Sequence, residues 1–403
     1  MKYIVLVGDG MSDRPLKELD GRTPLESARI RNMNLIAKEG TVGNATTIPQ
    51  NLTPASDVAN MAVLGYDPAK YYTGRGPLEA ANMGVELGKN DIAFRCNLVT
   101  VSDDKMADYS AGHISNKEAH ILINFIDKKL GSDALRFYPG VSYRHLAVVN
   151  AAKTNLKKDD LIKTLCTAPH DILDKPVARY LPRGAGSGFL TDLMLKSKDI
   201  LSSNDINKVR IDLCENPGNM IWLWGQGLKP KMPSFYEIFK VKGSIISAVD
   251  LIKGMGKIIG LDPIDVPGAT GYYDTDYRAK AKYALASLEK KDFVFVHVEA
   301  PDEAGHNGDI RAKLTAIENF DRMVVGTILN AMKKSNEDFR ILVLPDHATP
   351  ISIRTHARDP IPFAMFGKGI EKDKITAYNE SAAKKSSLFL DQGYKIMGMF
   401  LAK

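Results

Sequence analysis

The chain predicts an α/β fold with a mostly parallel sheet flanked by helices, interrupted by a second, smaller α/β domain. Three observations carry this. Short β-rich apolar runs alternate with amphipathic helical stretches. The runs near both chain ends stop at an acidic residue in a turn. The middle of the chain lacks that pattern and opens strand-like runs of its own.

Taken in order, residues 3–7 (Tyr-Ile-Val-Leu-Val) read as a buried strand closed by the turn Gly8-Asp9-Gly10. Residues 245–249, 293–298 and 340–344 read the same way, and helical periodicity marks 115–128, 279–289 and 312–333. In the middle, 91–101 and 220–225 read as fresh strands, followed by Gly225, Gly227, Pro230 and Pro233 as punctuation. The expected division is 1–89 with 236–403 as one discontinuous domain and 90–235 as the insertion.

Composition bounds the function. The 403 residues are 44% hydrophobic and 25% charged, ordinary for a soluble globular chain with room for two domains. A net charge of +6 suits a small anionic substrate, but the basic residues are mixed with acids and form no nucleic-acid stripe. The chain contains no run of about 18 apolar residues that could span a membrane, and the first apolar run is too short for a signal segment. Cys96, Cys166 and Cys214 lie far apart, so neither a disulfide framework nor a zinc-binding pair is expected, and a cytoplasmic protein with reduced thiols is. Nothing in the sequence bears on oligomeric state.

The residues with chemistry sit at the strand ends. Asp302 and His306 are four apart, so one helical turn presents both on one face. Asp346-His347 follows the apolar run 341–344, and His356 comes nine residues later. In open α/β sheets ligands gather beyond the carboxyl ends of the strands. Asp9, Asp302 and Asp346 with His306, His347 and His356 could therefore form two metal sites, the arrangement used for phosphoryl displacement. Carboxylate and imidazole donors suit Mn²⁺ or Zn²⁺, with Co²⁺ and Mg²⁺ as further options. Ser56, after Pro54-Ala55, is either a helix N-cap or a nucleophile at a helix N-terminus that favours phosphate.

These motifs, in this order, resemble the alkaline-phosphatase superfamily, and within it the archaeal-type cofactor-independent phosphoglycerate mutases. The likeness runs along nearly the whole chain through GDGMSDRP (8–15), PASDVANMAVLGYDP (54–68), YYTGRGPLEAA (71–81), AFRCNL (93–98), DYSAGHIS (108–115), VEAPDEAGH (298–306), LPDHATP (344–350) and THARDPIPF (355–363). The resemblance implies an alkaline-phosphatase-like metal domain with an inserted substrate-orienting domain. It implies that Asp9, Ser56, Asp346 and His347 hold one divalent ion and Asp302, His306 and His356 the other. Ser56 matches the phosphorylated serine, and Lys253 a lysine that helps it. Interconversion of 3- and 2-phosphoglycerate through phosphoserine, with no diffusible 2,3-bisphosphoglycerate, follows as the expected activity.

Phosphoglycerate carries a carboxylate and a phosphate, which suit arginine forks. Arg75, Arg95, Arg144 and Arg210, with His113, His170 and Asp171, are the expected substrate contacts. His297, inside an alternating strand, is expected in the core or behind a ligand. The family serine usually follows Pro-Gly. Ala55 here would strain a loop that needs positive φ, so a backbone compatible with alanine is expected. The same motifs also resemble proposed homoserine kinases of threonine biosynthesis, and a metal-dependent phosphomonoesterase is a third reading. A metal-binding module without catalysis would be expected to lack some of these positions, all of which are filled.

Overall fold

A computed structural model describes residues 1–402. The chain separates into two compact units, one made of residues 1–72 and the chain from Met232 on, the other of 73–231. The second unit starts earlier than the expected residue 90. The reason is tertiary: the helix Arg75–Met83 packs on the strands Asp91–Ser102 and Met220–Gly227. Gly74 makes that approach feasible. It sits at φ +136°, and a Cβ there would lie 2.1 Å from the Gln226 carbonyl oxygen.

The first unit is built on an eight-stranded sheet. Its order is Phe389–Leu390, Thr41–Ala45, Ile361–Gly367, Phe339–Leu344, Lys2–Gly8, Phe293–Val298, Gly243–Ile246, Asp262–Pro263. The pairings of Ile361–Gly367 with both neighbours are antiparallel and the rest are parallel. The central strand Lys2–Gly8 has no exposed residue, as a strand covered on both faces requires. Its register is the key to the site. Gly8 pairs with Val298 on one side and Val7 with Leu344 on the other, so three parallel strands end at one level. The chain leaves them into Asp9, the helix Ala300–Asn307 and Asp346.

Residues 312–333, expected as one helix, form a rod with a π turn at Phe320–Val325 between Ile310–Asn319 and Gly326–Lys334. The wider turn buries two consecutive residues. Phe320 enters the core, and the Asp321 carboxylate accepts from the Met33 N–H at 2.7 Å and the Asn32 side chain at 2.9 Å. Burying a phenylalanine contributes roughly 2–3 kcal/mol, enough to offset the poorer geometry of one such turn.

The second unit has a sheet in which Asp91–Ser102 pairs antiparallel with Lys105–Asp108, Arg144–Asn150 and Met220–Gly227. Leu135–Tyr138 adds an edge. The helices Asn116–Leu130 and Ser187–Ser202 contribute Leu122, Ile126, Leu190 and Met194 to its separate core.

Candidate metal centre

Asp9 leaves the central strand with its backbone N–H bonded to the Val298 carbonyl at 3.0 Å. Gly10 follows at φ +60°, where a Cβ would stand 2.6 Å from Asp302 Oδ1. Only glycine lets these two loops approach so closely. The Gly10 N–H donates to Asp346 Oδ1 at 3.1 Å, tying the first strand end to the third. Asp302 and His306 both lie on Ala300–Asn307, with His306 Nε2 3.3 Å from Asp302 Oδ2.

The six sequence-selected ligands converge. His347 Nε2 lies 3.4 Å from both Asp9 Oδ1 and Asp346 Oδ2. His356 Nε2 lies 3.5 Å from Asp302 Oδ1 and 3.0 Å from His306 Nε2. Grouped by donor distance, Asp302, His347 and His356 form one set and Asp9, His297 and Asp346 another. The expected partition had His347 with Asp9. His347 stands between the sets, its ring 4.2 Å from that of His356.

Ser56 opens the helix Ser56–Val63 as its first residue, and the N-cap is Ala55. Its hydroxyl makes no capping bond and lies 3.0 Å from His347 Nε2. Ala55 has φ −166°, ψ 152°, extended backbone open to any residue, compatible with alanine as expected.

The electrostatics suit cations. Burial and the charges of Asp346 and Asp302 push the Asp9 carboxyl well above its usual range. Its Oδ1 is buried with no hydrogen-bond partner. Burial works against Asp302, but His356 and His306 overcome it and hold that carboxyl well below the ordinary value. Burial lowers His347 to about 4, leaving it neutral with one bare ring nitrogen. His306 Nδ1 faces the Arg354 carbonyl at 3.0 Å, so it donates there and directs Nε2 inward. Against the pull of burial, its hydrogen bond to Asp302 raises His306 to about 9. His306 Nε2 and His356 Nε2, 3.0 Å apart, either share a hydrogen, one donating to the other's lone pair, or turn both lone pairs to a cation. Hard carboxylate and borderline imidazole donors with no thiolate fit divalent ions.

His297 stands behind a candidate ligand, and the residues that hold it in place carried no signal of their own in the sequence. His297 Nε2 faces Asp9 Oδ2 at 3.2 Å, and its Nδ1 faces Glu299 at 3.1 Å. Glu299 is bonded in turn to Lys280 at 2.8 Å and to the Ser247 hydroxyl at 2.8 Å. Burial opposes a charge on His297, but Asp9 and Glu299 lift it to about 10. Asn60 Nδ2 donates to Asp346 Oδ2 at 2.6 Å and to the Ser56 carbonyl at 2.9 Å. Its position four residues after Ser56 in a helix is the one clue that could have singled it out. Lys253, on the helix Asp250–Ile258 that packs against the Ser56 helix, holds Asp265 at 2.5 Å.

In the second unit, aromatic rings gather five of the seven expected substrate contacts. Arg95 and Arg75 lie over Trp224 at 5.0 and 5.3 Å, and His170 meets the same ring edge-on at 5.3 Å. Tyr109 links His170 to Tyr143, which carries Arg144 and His113. Arg95 is paired with Glu79 at 2.8 Å, and burial lowers its pKa despite that partner. Arg144 Nε is buried without a hydrogen-bond partner. Arg210 differs from the expectation. Its guanidinium is committed to Glu118, Glu215 and the carbonyls of Ala111 and Asn216, because it closes a loop against the helix Asp205–Asp212. Asp171 is exposed, 3.8 Å from His170.

The chain is similar to known proteins along its whole length. A family model described as 2,3-bisphosphoglycerate-independent phosphoglycerate mutase matches residues 37–207. The mutase of that name from Methanosarcina barkeri is 52% identical over 100% of this chain and 99% of its own. The structure of a Pyrococcus horikoshii protein superposes with a TM-score of 0.82 at 32% identity, covering 99% of this chain and 96% of its own. The cofactor-independent phosphoglycerate mutase from Thermoplasma acidophilum superposes at 0.65 and 28% identity over 100% of this chain and 99% of its own. With full-length identity at this level, the chain belongs to the 2,3-bisphosphoglycerate-independent phosphoglycerate mutase family.

Proposed function

We propose that the protein interconverts 3-phosphoglycerate and 2-phosphoglycerate through a phosphoserine on Ser56, with no bisphosphoglycerate. The observation that carries this is the Ser56 hydroxyl, uncapped at a helix N-terminus and 3.0 Å from His347 Nε2 among three carboxylates and three imidazoles.

Asp9, Ser56, Asp346 and His347 would hold one divalent ion and Asp302, His306 and His356 the other. His297 stays out of the set because carboxylates face both its nitrogens. When bound, the ions, of which Mn²⁺ suits the donors, acidify the serine hydroxyl and offset charge on the phosphoryl oxygens. Ser56 Oγ attacks phosphorus as its proton leaves. The bond from phosphorus to the glycerate oxygen breaks, and that oxygen is protonated. The positive end of the helix Ser56–Val63 favours the phosphoryl group. The other hydroxyl of glycerate then attacks the phosphoserine, and Ser56 recovers its proton. Arg75, Arg95, Arg144, His113 and His170 hold glycerate by its carboxylate, on the Trp224 and Tyr143 platforms, while it turns over. Arg210 supports the loop that carries His113. We assign Lys253 to the nucleophile's side, released from Asp265 during turnover. A Lys253→Met variant should form phosphoenzyme about 100-fold more slowly, and an unchanged rate would leave Lys253 as the partner of Asp265 alone. The three unpaired thiols fit a cytoplasmic location.

The test is a coupled mutase assay on chelator-treated protein, restoring one metal at a time without bisphosphoglycerate. Turnover that returns with metal supports the reading. ATP-dependent phosphorylation of homoserine in place of isomerisation would replace it with a kinase.

A further inference from the structure

Thr349 follows the Asp346-His347 pair by two residues and is fully buried. Its hydroxyl meets candidate ligands assigned to two different ions. It is hydrogen-bonded to Asp302 Oδ1 and lies 3.2 Å from His347 Nδ1. The backbone around it is pinned. The Thr349 N–H donates to the Ser12 carbonyl at 3.2 Å. Its carbonyl accepts from the buried Lys313 ammonium at 2.8 Å, which also grips Asp13 at 2.6 Å. Glycines clear the space. A Cβ on Gly10 would stand 2.5 Å from Thr349 Oγ1, and one on Gly305 2.5 Å from the Thr349 carbonyl oxygen.

A hydroxyl has one proton to give, and an ionised carboxylate can only accept. The Thr349 proton therefore goes to Asp302. Toward His347 the hydroxyl oxygen has only lone pairs left, so Nδ1 of that ring must carry the hydrogen. In a neutral imidazole the second nitrogen is then bare. That nitrogen, Nε2, is the one 3.0 Å from Ser56 Oγ and 3.4 Å from Asp9 Oδ1.

We propose that Thr349 is a positioning residue that sets the tautomer of His347 and the orientation of Asp302 with one hydroxyl, and so organises both cation sites together. The inference rests on the two-ion reading above. A threonine that merely fills space would owe its place to its methyl group and volume. Valine keeps both and loses the hydroxyl, whereas serine keeps the hydroxyl and loses the methyl.

The experiment compares Thr349→Val and Thr349→Ser with the parent protein. Mn²⁺ binding to chelator-stripped protein is followed by calorimetry, and His347 by ¹⁵N NMR of histidine-labelled protein. The valine variant should bind Mn²⁺ about 10–100-fold more weakly, with kcat reduced and KM for 3-phosphoglycerate within about twofold of the parent. The serine variant should recover both. Valine that binds Mn²⁺ and turns over like the parent overturns the proposal. The spectrum of the parent tests it even where valine fails to fold, since a His347 protonated at Nε2 with a bare Nδ1 overturns it outright. Parent protein that takes up no Mn²⁺ overturns the two-ion reading itself, and the role of Thr349 with it.

Discussion

Ser56 Oγ and His347 Nε2 stand 3.0 Å apart although 291 residues separate them in the chain. The hydroxyl belongs to the first turn of a helix and the imidazole to the end of a strand. Ser56 leaves its helix uncapped, and His347 turns inward beside three acidic residues.

Removing that hydroxyl should abolish chemistry and leave the fold intact. Ser56→Ala is expected to lose at least about 10⁴-fold in kcat and to show no phosphorylated serine peptide by mass spectrometry. Undiminished turnover in this variant would take the nucleophile away from Ser56.

Divalent ions should stabilise the protein as well as activate it, because they relieve the crowding that pushes the Asp9 carboxyl up. An ion at about 100 times its Kd adds about 2.7 kcal/mol. Calorimetry should therefore show chelated protein regaining several degrees of Tm when Mn²⁺ is restored. Asp346→Asn should lose most of that gain. Identical melting with and without metal in the parent would deny the ions this position.

Substrate affinity should reside in the second unit. Arg144→Leu is predicted to raise KM for 3-phosphoglycerate by about 10–100-fold, the worth of a charge-assisted hydrogen bond, with kcat nearly kept. Arg210→Leu should act otherwise, lowering Tm by stranding Glu118 and two carbonyls before it touches KM. Steady-state kinetics beside thermal melts separates the two, and an unchanged KM in Arg144→Leu removes that residue from the substrate contacts.

His145 gives a pH dependence away from the candidate ligands. Burial, helped by His120, Arg144 and Arg95, lowers it to about 3, below the ordinary value of 6.5. Its Nδ1 accepts the Gly140 N–H at 3.0 Å, which requires that nitrogen to be bare. Between those two pKa values the unfolded chain binds the proton and the folded one does not. The contribution is thus complete above pH 6.5 and falls away as pH drops toward 3. It amounts to a few kcal/mol at most, on the order set by burying one charge. Urea denaturation at pH 7 and 4.5 should show His145→Asn losing much less stability across that window than the parent. Parallel losses would place the titration elsewhere.

The strand-end pattern makes Asp9, Asp302 and Asp346 legible without coordinates, because a parallel register puts its carboxyl ends at one level whatever the intervening sequence. Histidine is scarce, eight in the chain, so three within 51 positions make His306, His347 and His356 legible in the same way. Asn60, Glu299, Lys280 and Thr349 are common residue types whose meaning comes only from what they touch. Arg210 looks like Arg95 or Arg144 in sequence, and only its acceptors distinguish it. The early start of the second unit at Thr73 is equally invisible, since the Arg75–Met83 helix declares its allegiance through packing and not through any composition change.

The place of Lys2–Gly8 in the sheet has a consequence for synthesis. This strand is synthesised well before either neighbour, since both come from far downstream, at Phe293–Val298 and Phe339–Leu344. A nascent polypeptide halted before residue 293 leaves a mainly apolar strand with two bare edges, while the contiguous segment 73–231 already has its full complement of strands. Such long-range closure is slow and prone to aggregation. The host sheet must therefore wait until Phe339–Leu344 has been made, and Lys2–Gly8 needs shelter until then.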